Sequence, residues 1–331
     1  MVTAAAERRF YHVLIRVVFI AVSAGSLIAL FGKYFWIAEL FTHFRLYYLL
    51  VQALLVLIFL HGGHRSLMVM TILLSVPNAW VVGPYLMPVA GSVIGSVEGH
   101  ARVMADDDVG IDIVALNVHH RNDEFARVAG YLRDRDPDII IIAEFTAAWR
   151  TRLEFLRESH PYYLADARPN PWGLAVFSRL PLVEAKLIDL AQTDTVHARF
   201  IVMAGEAPLE IFAVHLLSPV SASLAHDRNL QLEALASYVL SSTNRHLVIG
   251  DLNLTPFSPY FKLFTDQTGL QDARRIDGFH VTWPVSLLPI WIPIDHALAD
   301  SEVNITRVQA GPDVGSDHFP LEIFVAEQVD E

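Results

Sequence analysis

Polar residues able to handle metals and phosphate recur at one kind of place in this chain, the ends of short apolar runs. Asn117 ends IDIVALN, Glu144 directly follows DIIIIA, and His215 ends IFAVH. Asp251 and Asn253 follow LVIG, Asp295 interrupts IPIDHALA, and Asp317 and His318 lie in GSDHFPL before a last apolar run. Asn and Asp are ordinary turn residues, so each position alone has a plain explanation. Jointly, six run ends offer carboxylates, amides or imidazoles where turn chemistry would use Gly, Ser and Lys as readily. That set suits hydrolysis assisted by a divalent ion. One carboxylate holds the ion, another takes a proton from water, and imidazoles and amides donate to anionic oxygens.

The runs themselves predict the scaffold. Residues 111–117, 138–143, 174–177, 198–203, 209–214, 246–249, 294–299 and 321–325 read as strands. Residues 123–134 and 228–240 carry apolar positions at helical spacing. Adjacent strand pairs mixed with strand–helix–strand units imply an α/β fold, two mixed sheets with helices outside. No internal repeat or low-complexity tract is present.

The rest of the chain differs in kind. Of 331 residues, 53% are hydrophobic and only 18% charged, against about 25% charged in a typical soluble domain. Mean hydropathy is +0.38, which excludes a disordered chain. No cysteine occurs, which excludes disulfides, thiolate metal sites, a cysteine nucleophile and CxxC redox chemistry. Up to residue 100 the chain has six basic and three acidic residues, so its net charge of −12 originates in the remainder. Composition places a boundary near residue 100, and the aspartate run within 105–108 reads as the end of a solvated linker. No charged residue lies between Arg45 and Arg65 or between Arg65 and Glu98. Each gap holds a span of the ~20 residues that cross a bilayer. A first span is expected at about 13–31, with Arg16 snorkelling near its end. A third is expected over 67–82, ending near Pro84. Four basic residues (Arg8, Arg9, Arg16, Arg65) against two (Lys33, Arg45) favour a cytoplasmic N-terminus, so three crossings put the acidic domain outside the cytoplasm.

The ordered set N117…E144…H215…GDLN(250–253)…D295…SDH(316–318) resembles the endonuclease/exonuclease/phosphatase superfamily over about residues 110–326. The resemblance implies a four-layer sandwich of two mixed β-sheets flanked by helices, here preceded by a bundle of about three transmembrane helices. It implies that Asp251 orients and deprotonates the attacking water and that Asn253 and His215 donate to phosphate oxygens. It further implies that His318 contacts the phosphate while Asp295 holds its ring. Glu144 is the expected first metal ligand, with the Asn117 carbonyl oxygen beside it and Asp317 as a second carboxylate. These donors favour Mg²⁺ or Mn²⁺ over Zn²⁺. Many members carry Gln before the metal-binding Glu, where Ala143 stands here. LNLTPFSPYFKLF, GLQDA, TWP and IPIDHALA are similar to a bacterial membrane-anchored subgroup. Some of its members, of the teicoplanin-resistance type, dephosphorylate isoprenyl-lipid pyrophosphates. The expected partners are therefore the bilayer and a lipid-linked phosphate or pyrophosphate at the cell membrane. An extracytoplasmic nuclease or general phosphodiesterase is the alternative, disfavoured because an acidic domain lacks the basic stripe that nucleic acid needs. His119, His120 and His296 are expected to lie outside the site. Arg199, Arg228 and Gln231 are expected to serve salt bridges, and Trp172 and Trp283 to wall a cleft or pack in the core.

Overall fold

The computed structural model describes residues 4–87, 109–205, 207–287 and 290–327. The expected boundary near residue 100 and the linker end at 105–108 lie outside the described residues. The chain divides into two compact units, Met1–Leu86 with Pro256–Tyr260, and Met87–Thr255 with Phe261–Glu331.

The first unit holds α1 (Ala4–Ala29), α2 (Trp36–Thr42), α3 (Arg45–His61) and α4 (Arg65–Leu86). Arg9–Ala29 and Arg65–Leu86 are each long and apolar enough to span a membrane. The expected middle span is more complicated: α2 and α3 meet at a 58° bend, and only the bent pair together passes as a crossing. The α4 helix does not stop at Pro84 but carries both Pro77 and Pro84 inside it. Proline is tolerated in such helices where neighbouring helices and local adjustments satisfy the freed backbone groups. A polar knot joins the helices: Gln52 and Asn78 both donate to the Ser26 hydroxyl at 3.0 Å, and Arg45 donates to Asn78 Oδ1 at 3.1 Å. A second Arg45 amino group caps the Ala29 carbonyl at the end of α1 at 2.9 Å, as a cation near a helix C-terminus should.

The second unit contains, in chain order, β1 (Gly110–Asn117), α5 (Phe125–Arg135), β2 (Ile139–Ala143), α6 (Ala147–Arg152), α7 (Leu156–Ser159), β3 (Tyr162–Asp166) and β4 (Leu174–Ser178). Then come β5 (Val183–Ile188), β6 (His197–Ala204), β7 (Ala207–His215), α8 (Ala222–Ser241) and β8 (Arg245–Asp251). It closes with α9 (Pro259–Thr268), β9 (Gln271–Asp272), α10 (Arg274–Asp277), β10 (Asp295–Ala299), β11 (Ile305–Ala310) and β12 (Leu321–Ala326). The strands form two six-stranded sheets in the orders β11-β12-β1-β2-β4-β3 and β5-β6-β7-β8-β10-β9. Within them β1 and β2 run parallel, as do β7 and β8, and the other pairs are antiparallel. Both sheets are therefore mixed, and helices flank them, as the sequence predicts.

Each expected strand is found within a few residues, because each is largely buried and apolar. The unexpected strands β3, β5, β9 and β11 lie at or next to sheet edges. There one face meets water, and β5 reads VEAKLI with four of its six residues exposed. Two cores result. Ile113, Ile141, Phe200 and Ile249 pack between the sheets. Val114, Ile140 and Ile142 point the other way, onto Val128, Leu132 and Trp149 of α5 and α6, as strand alternation requires.

Gly250 shows how tightly the centre is built. Its φ is +132°, and a Cβ there would lie 2.0 Å from the Val214 carbonyl oxygen of β7. Gly250→Ala is expected to destabilise the protein by more than about 2 kcal/mol, read as a fall in thermal midpoint. Gly130→Ala in α5, where a Cβ meets nothing within 4 Å, is expected to be neutral or to stabilise by about 0.5–1 kcal/mol.

Candidate active site

Register decides which polar termini meet. Parallel pairing sets His215 opposite Asp251, and antiparallel pairing sets Asp295 opposite Asp251. Three residues from three adjacent strands thus stand in one row. In the other sheet Asn117 pairs with Ala143, so Glu144 follows at the same edge. Because β12 runs antiparallel to β1, with Leu321 opposite Ala115, the loop carrying Ser316, Asp317 and His318 opens at that edge too. The Ser316 hydroxyl fastens it by donating to the Asn117 carbonyl at 2.6 Å.

The two sheets meet through short polar contacts. His318 Nδ1 lies 2.9 Å from Asp295 Oδ2, and its Nε2 is 3.8 Å from Asp251 Oδ2. His215 Nε2 is 3.6 Å from the same Asp251 oxygen. Asn117 Nδ2 donates to Asp251 Oδ2 at 3.3 Å and to Glu144 Oε1 at 3.2 Å. The Asn253 backbone N–H donates to Asp251 Oδ1 at 2.8 Å, and its side chain donates to the Leu216 carbonyl at 2.8 Å. All eight residues expected at the site converge at this edge.

Asn117 departs from its expected role. Its Oδ1 accepts from the His119 backbone N–H at 3.0 Å, so the amide nitrogen, and not the carbonyl oxygen, faces Glu144. It bridges two carboxylates as a donor. His119 and His120, expected outside the site, are brought into it. The His120 backbone N–H donates to Glu144 Oε2 at 2.7 Å, and its Nδ1 is 2.6 Å from that oxygen. His119 Nδ1 is 3.6 Å from Asp317 Oδ1. Nothing in the residue pattern carried that signal, because it depends on how the chain turns after β1. His296 behaves as expected: it lies between Arg274 and the Leu254 carbonyl.

The surroundings set the charges. Burial favours a neutral His318 ring, but Asp295, helped by Asp251 and Asp317, prevails and raises it to about 10. Burial also opposes the Asp295 charge, yet the His318 ion pair holds that carboxyl below its usual range. Burial, with Asp295 beside it, pushes Asp251 up to about 8 against the pull of His318. Glu144 is buried as well, but His215, the two His120 hydrogen bonds and Asn117 keep it below the usual range and ionised. Burial lowers His215, against the pull of Glu144 and Asp295. An ionised Glu144 beside Asp317, whose Oδ1 is buried without a hydrogen-bond partner, is a donor set that fits a divalent cation.

The neighbours expected to form salt bridges divide. Arg199 pairs with Glu210. Arg228 and Gln231, one turn apart on α8, instead hold the loops that follow β8 and β7: Arg228 donates to the Asn253 carbonyl at 3.2 Å, and Gln231 Oε1 accepts from Leu217 N–H at 2.8 Å. Buried His197 accepts from His215 N–H at 3.3 Å and meets Thr195 at 2.8 Å, and Thr195 in turn accepts from Gln231. Burial depresses the His197 pKa to about 3, so it stays a neutral acceptor. Three successive amides beyond β7 are satisfied by His197, the Asp251 carbonyl and Gln231. The tryptophans border the site: the Trp172 ring lies 5.5 Å from that of His215, and Trp283 Nε1 donates to Asp317 Oδ2 at 3.1 Å.

The model of the endonuclease/exonuclease/phosphatase family matches residues 114–318, more than half of the chain. The chain belongs to this family. A search of curated proteins finds no match. Among solved structures, D. rerio TDP2 complexed with single strand DNA product is similar at a TM-score of 0.57 and 17% identity, covering 66% of this chain and 99% of that one. An endonuclease/exonuclease/phosphatase family protein from Leptotrichia buccalis gives 0.53 and 16%, over 65% and 99%. A family member from Beutenbergia cavernae gives 0.51 and 18%, over 66% and 71%. Family membership gives a phosphoesterase fold.

The His197 relay makes a test of positioning. His197→Leu removes the acceptor for His215 N–H, whereas His197→Asn keeps an oxygen near it. The leucine variant is expected to lose about 10- to 100-fold in kcat with little change in KM, and asparagine is expected to restore part of it. Amide hydrogen exchange at residue 215 should quicken in the same order.

Proposed function

We propose that this chain is a membrane-anchored, divalent-metal-dependent phosphoesterase whose substrate is a lipid-linked phosphate or pyrophosphate of the isoprenyl type. The observation that carries the hydrolase part is the convergence of Glu144 and Asp317 with Asp251, Asp295 and His318 at one sheet edge. The lipid part is supported by the two helices apolar enough to cross a membrane, since a tether raises the local concentration of bilayer substrates. It is also supported by the sequence likeness to the teicoplanin-resistance-type subgroup.

In this reading Glu144 and Asp317 hold Mg²⁺ or Mn²⁺, which, when bound, neutralises charge on phosphate oxygens as a Lewis acid. Asp251, with its carboxyl near neutrality, takes a proton from the attacking water. His318 is held as an imidazolium by Asp295 and stabilises the charge that builds on phosphate. His215 donates to a phosphate oxygen from a ring nitrogen, and Asn253 through its remaining amide hydrogen. Trp172 and Trp283 border the site beside His215 and Asp317.

Likeness to a TDP2 complexed with single strand DNA product favours a second reading, a nuclease or general phosphodiesterase. The net charge of −12 weighs against it. A panel of isoprenyl pyrophosphates, phospholipids, inositol phosphates and DNA, assayed with the full chain in detergent, separates the two. Turnover confined to DNA would overturn the lipid reading.

Glu144→Gln is expected to keep the fold and to lose metal-dependent turnover by about 100-fold or more, even at saturating Mg²⁺. Asp251→Asn and His318→Ala are expected to lower kcat with smaller effects on KM.

The catalytic unit is proposed to face away from the cytoplasm, on the balance of basic residues around the spans. In this cysteine-free chain, Met203→Cys places a lone thiol at a position 47% exposed. A membrane-impermeant thiol reagent should label it in intact cells, and labelling only after lysis would put the unit inside.

A further inference from the structure

We propose that His119 and His120 are metal ligands, so that the cation site is a mixed imidazole and carboxylate cluster that takes a first-row transition ion in preference to Mg²⁺. The proposal deepens the phosphoesterase reading and rests on it. Sequence alone offers this site two carboxylates and an amide oxygen, a hard set. The structure replaces the amide oxygen: Asn117 Oδ1 is occupied by the His119 backbone N–H. The chain then turns so that both following imidazoles approach the carboxylates. Nitrogens of His119 and His120 and an oxygen of Glu144 all lie within 4.8 Å of one another.

Two further observations point to a ligand there. Asp317 Oδ1 is buried with no hydrogen-bond partner, and the nearby His119 Nδ1, at 3.6 Å, is too far to supply one. The Asp317 side chain is 38% exposed and its Oδ2 accepts from Trp283, so Oδ1 is the oxygen left to meet a cation beside His119. The backbone is also strained on both sides of the cluster: His119 has φ +58° and Glu144 has φ +59°. Left-handed backbone is uncommon for residues other than glycine, and it gathers at ligand-holding positions. The side chains of His119 and His120 keep 37% and 20% exposure, which leaves an entry path from solvent.

Donor chemistry sets the selectivity. Mg²⁺ holds oxygen ligands and retains its waters, whereas imidazole nitrogen suits the first-row transition ions. Two imidazoles should therefore favour the transition ion and do little for Mg²⁺.

Mn²⁺ is the probe, bound to the full chain in detergent and observed by pulsed electron paramagnetic resonance, with Mg²⁺ competition in parallel. The expected result is nitrogen coupling from imidazole in the wild type. In His119→Asn/His120→Asn that coupling should vanish, Mn²⁺ affinity should fall roughly tenfold or more, and Mg²⁺ affinity should hold. Asparagine tolerates the left-handed backbone at 119, so the fold is kept, and a thermal melt verifies it. Mn²⁺ bound without nitrogen coupling would overturn the proposal and show His120 to be only a hydrogen-bond donor to Glu144. Equal loss of both ions in the variant would overturn it too. Nitrogen-coupled Mn²⁺ without hydrolysis of any phosphoester would support the ligand set and overturn the phosphoesterase reading alone.

Discussion

The site depends on the register of β8 between two neighbours of opposite direction. Parallel pairing with β7 and antiparallel pairing with β10 set His215, Asp251 and Asp295 side by side. A one-residue slip of either neighbour would turn its polar terminus to the opposite face of the sheet. The register is held by burial, since Ile211, Ile249 and Ala297 share the intersheet core, and by Gly250, whose missing side chain lets β7 and β8 approach. The polar row is thus a by-product of packing that the sheet needs for its own stability.

Gathering Asp251, Asp295 and Glu144 at one buried edge raises the problem of desolvated charge. An unpaired buried charge is strongly unfavourable, and a pair is tolerated only when its remaining hydrogen-bond sites are satisfied. His318 answers for Asp295 at 2.9 Å, and Thr282 Oγ1 accepts from the Ile294 and Asp295 amides beside it. Asn117 donates to both Asp251 and Glu144. Asp251 lacks an equal partner, and its raised pKa is the consequence. The group suited to accept a proton is the one that the neighbours leave incompletely neutralised.

The helical unit solves a similar problem in apolar surroundings. Gln52, Asn78 and Arg45 are buried, and their hydrogen bonds reach Ser26 and the Ala29 carbonyl. Polar groups buried among apolar helices are tolerated when they satisfy one another's hydrogen bonds. Gly25 allows the approach, since a Cβ there would lie 2.8 Å from the Tyr48 ring.

Much of this was legible in the sequence. Buried β-branched runs announce central strands, and the polar residues that end them announce the site, because a chain leaving a core must present whatever follows at its rim. Apolar length announced helices long enough to be candidate spans. Orientation and partner choice were not legible. The turn of Asn117 that offers nitrogen to Glu144, and the return of His119 and His120 to the carboxylates, follow from backbone geometry after β1. Arg228 and Gln231 were expected to serve salt bridges, yet α8 buries them against loops distant in sequence. Edge strands such as β5 escaped because water on one face removes the apolar signal. Local sequence determines what is buried. Which buried groups face one another depends on register and loop closure, and those belong to the tertiary structure.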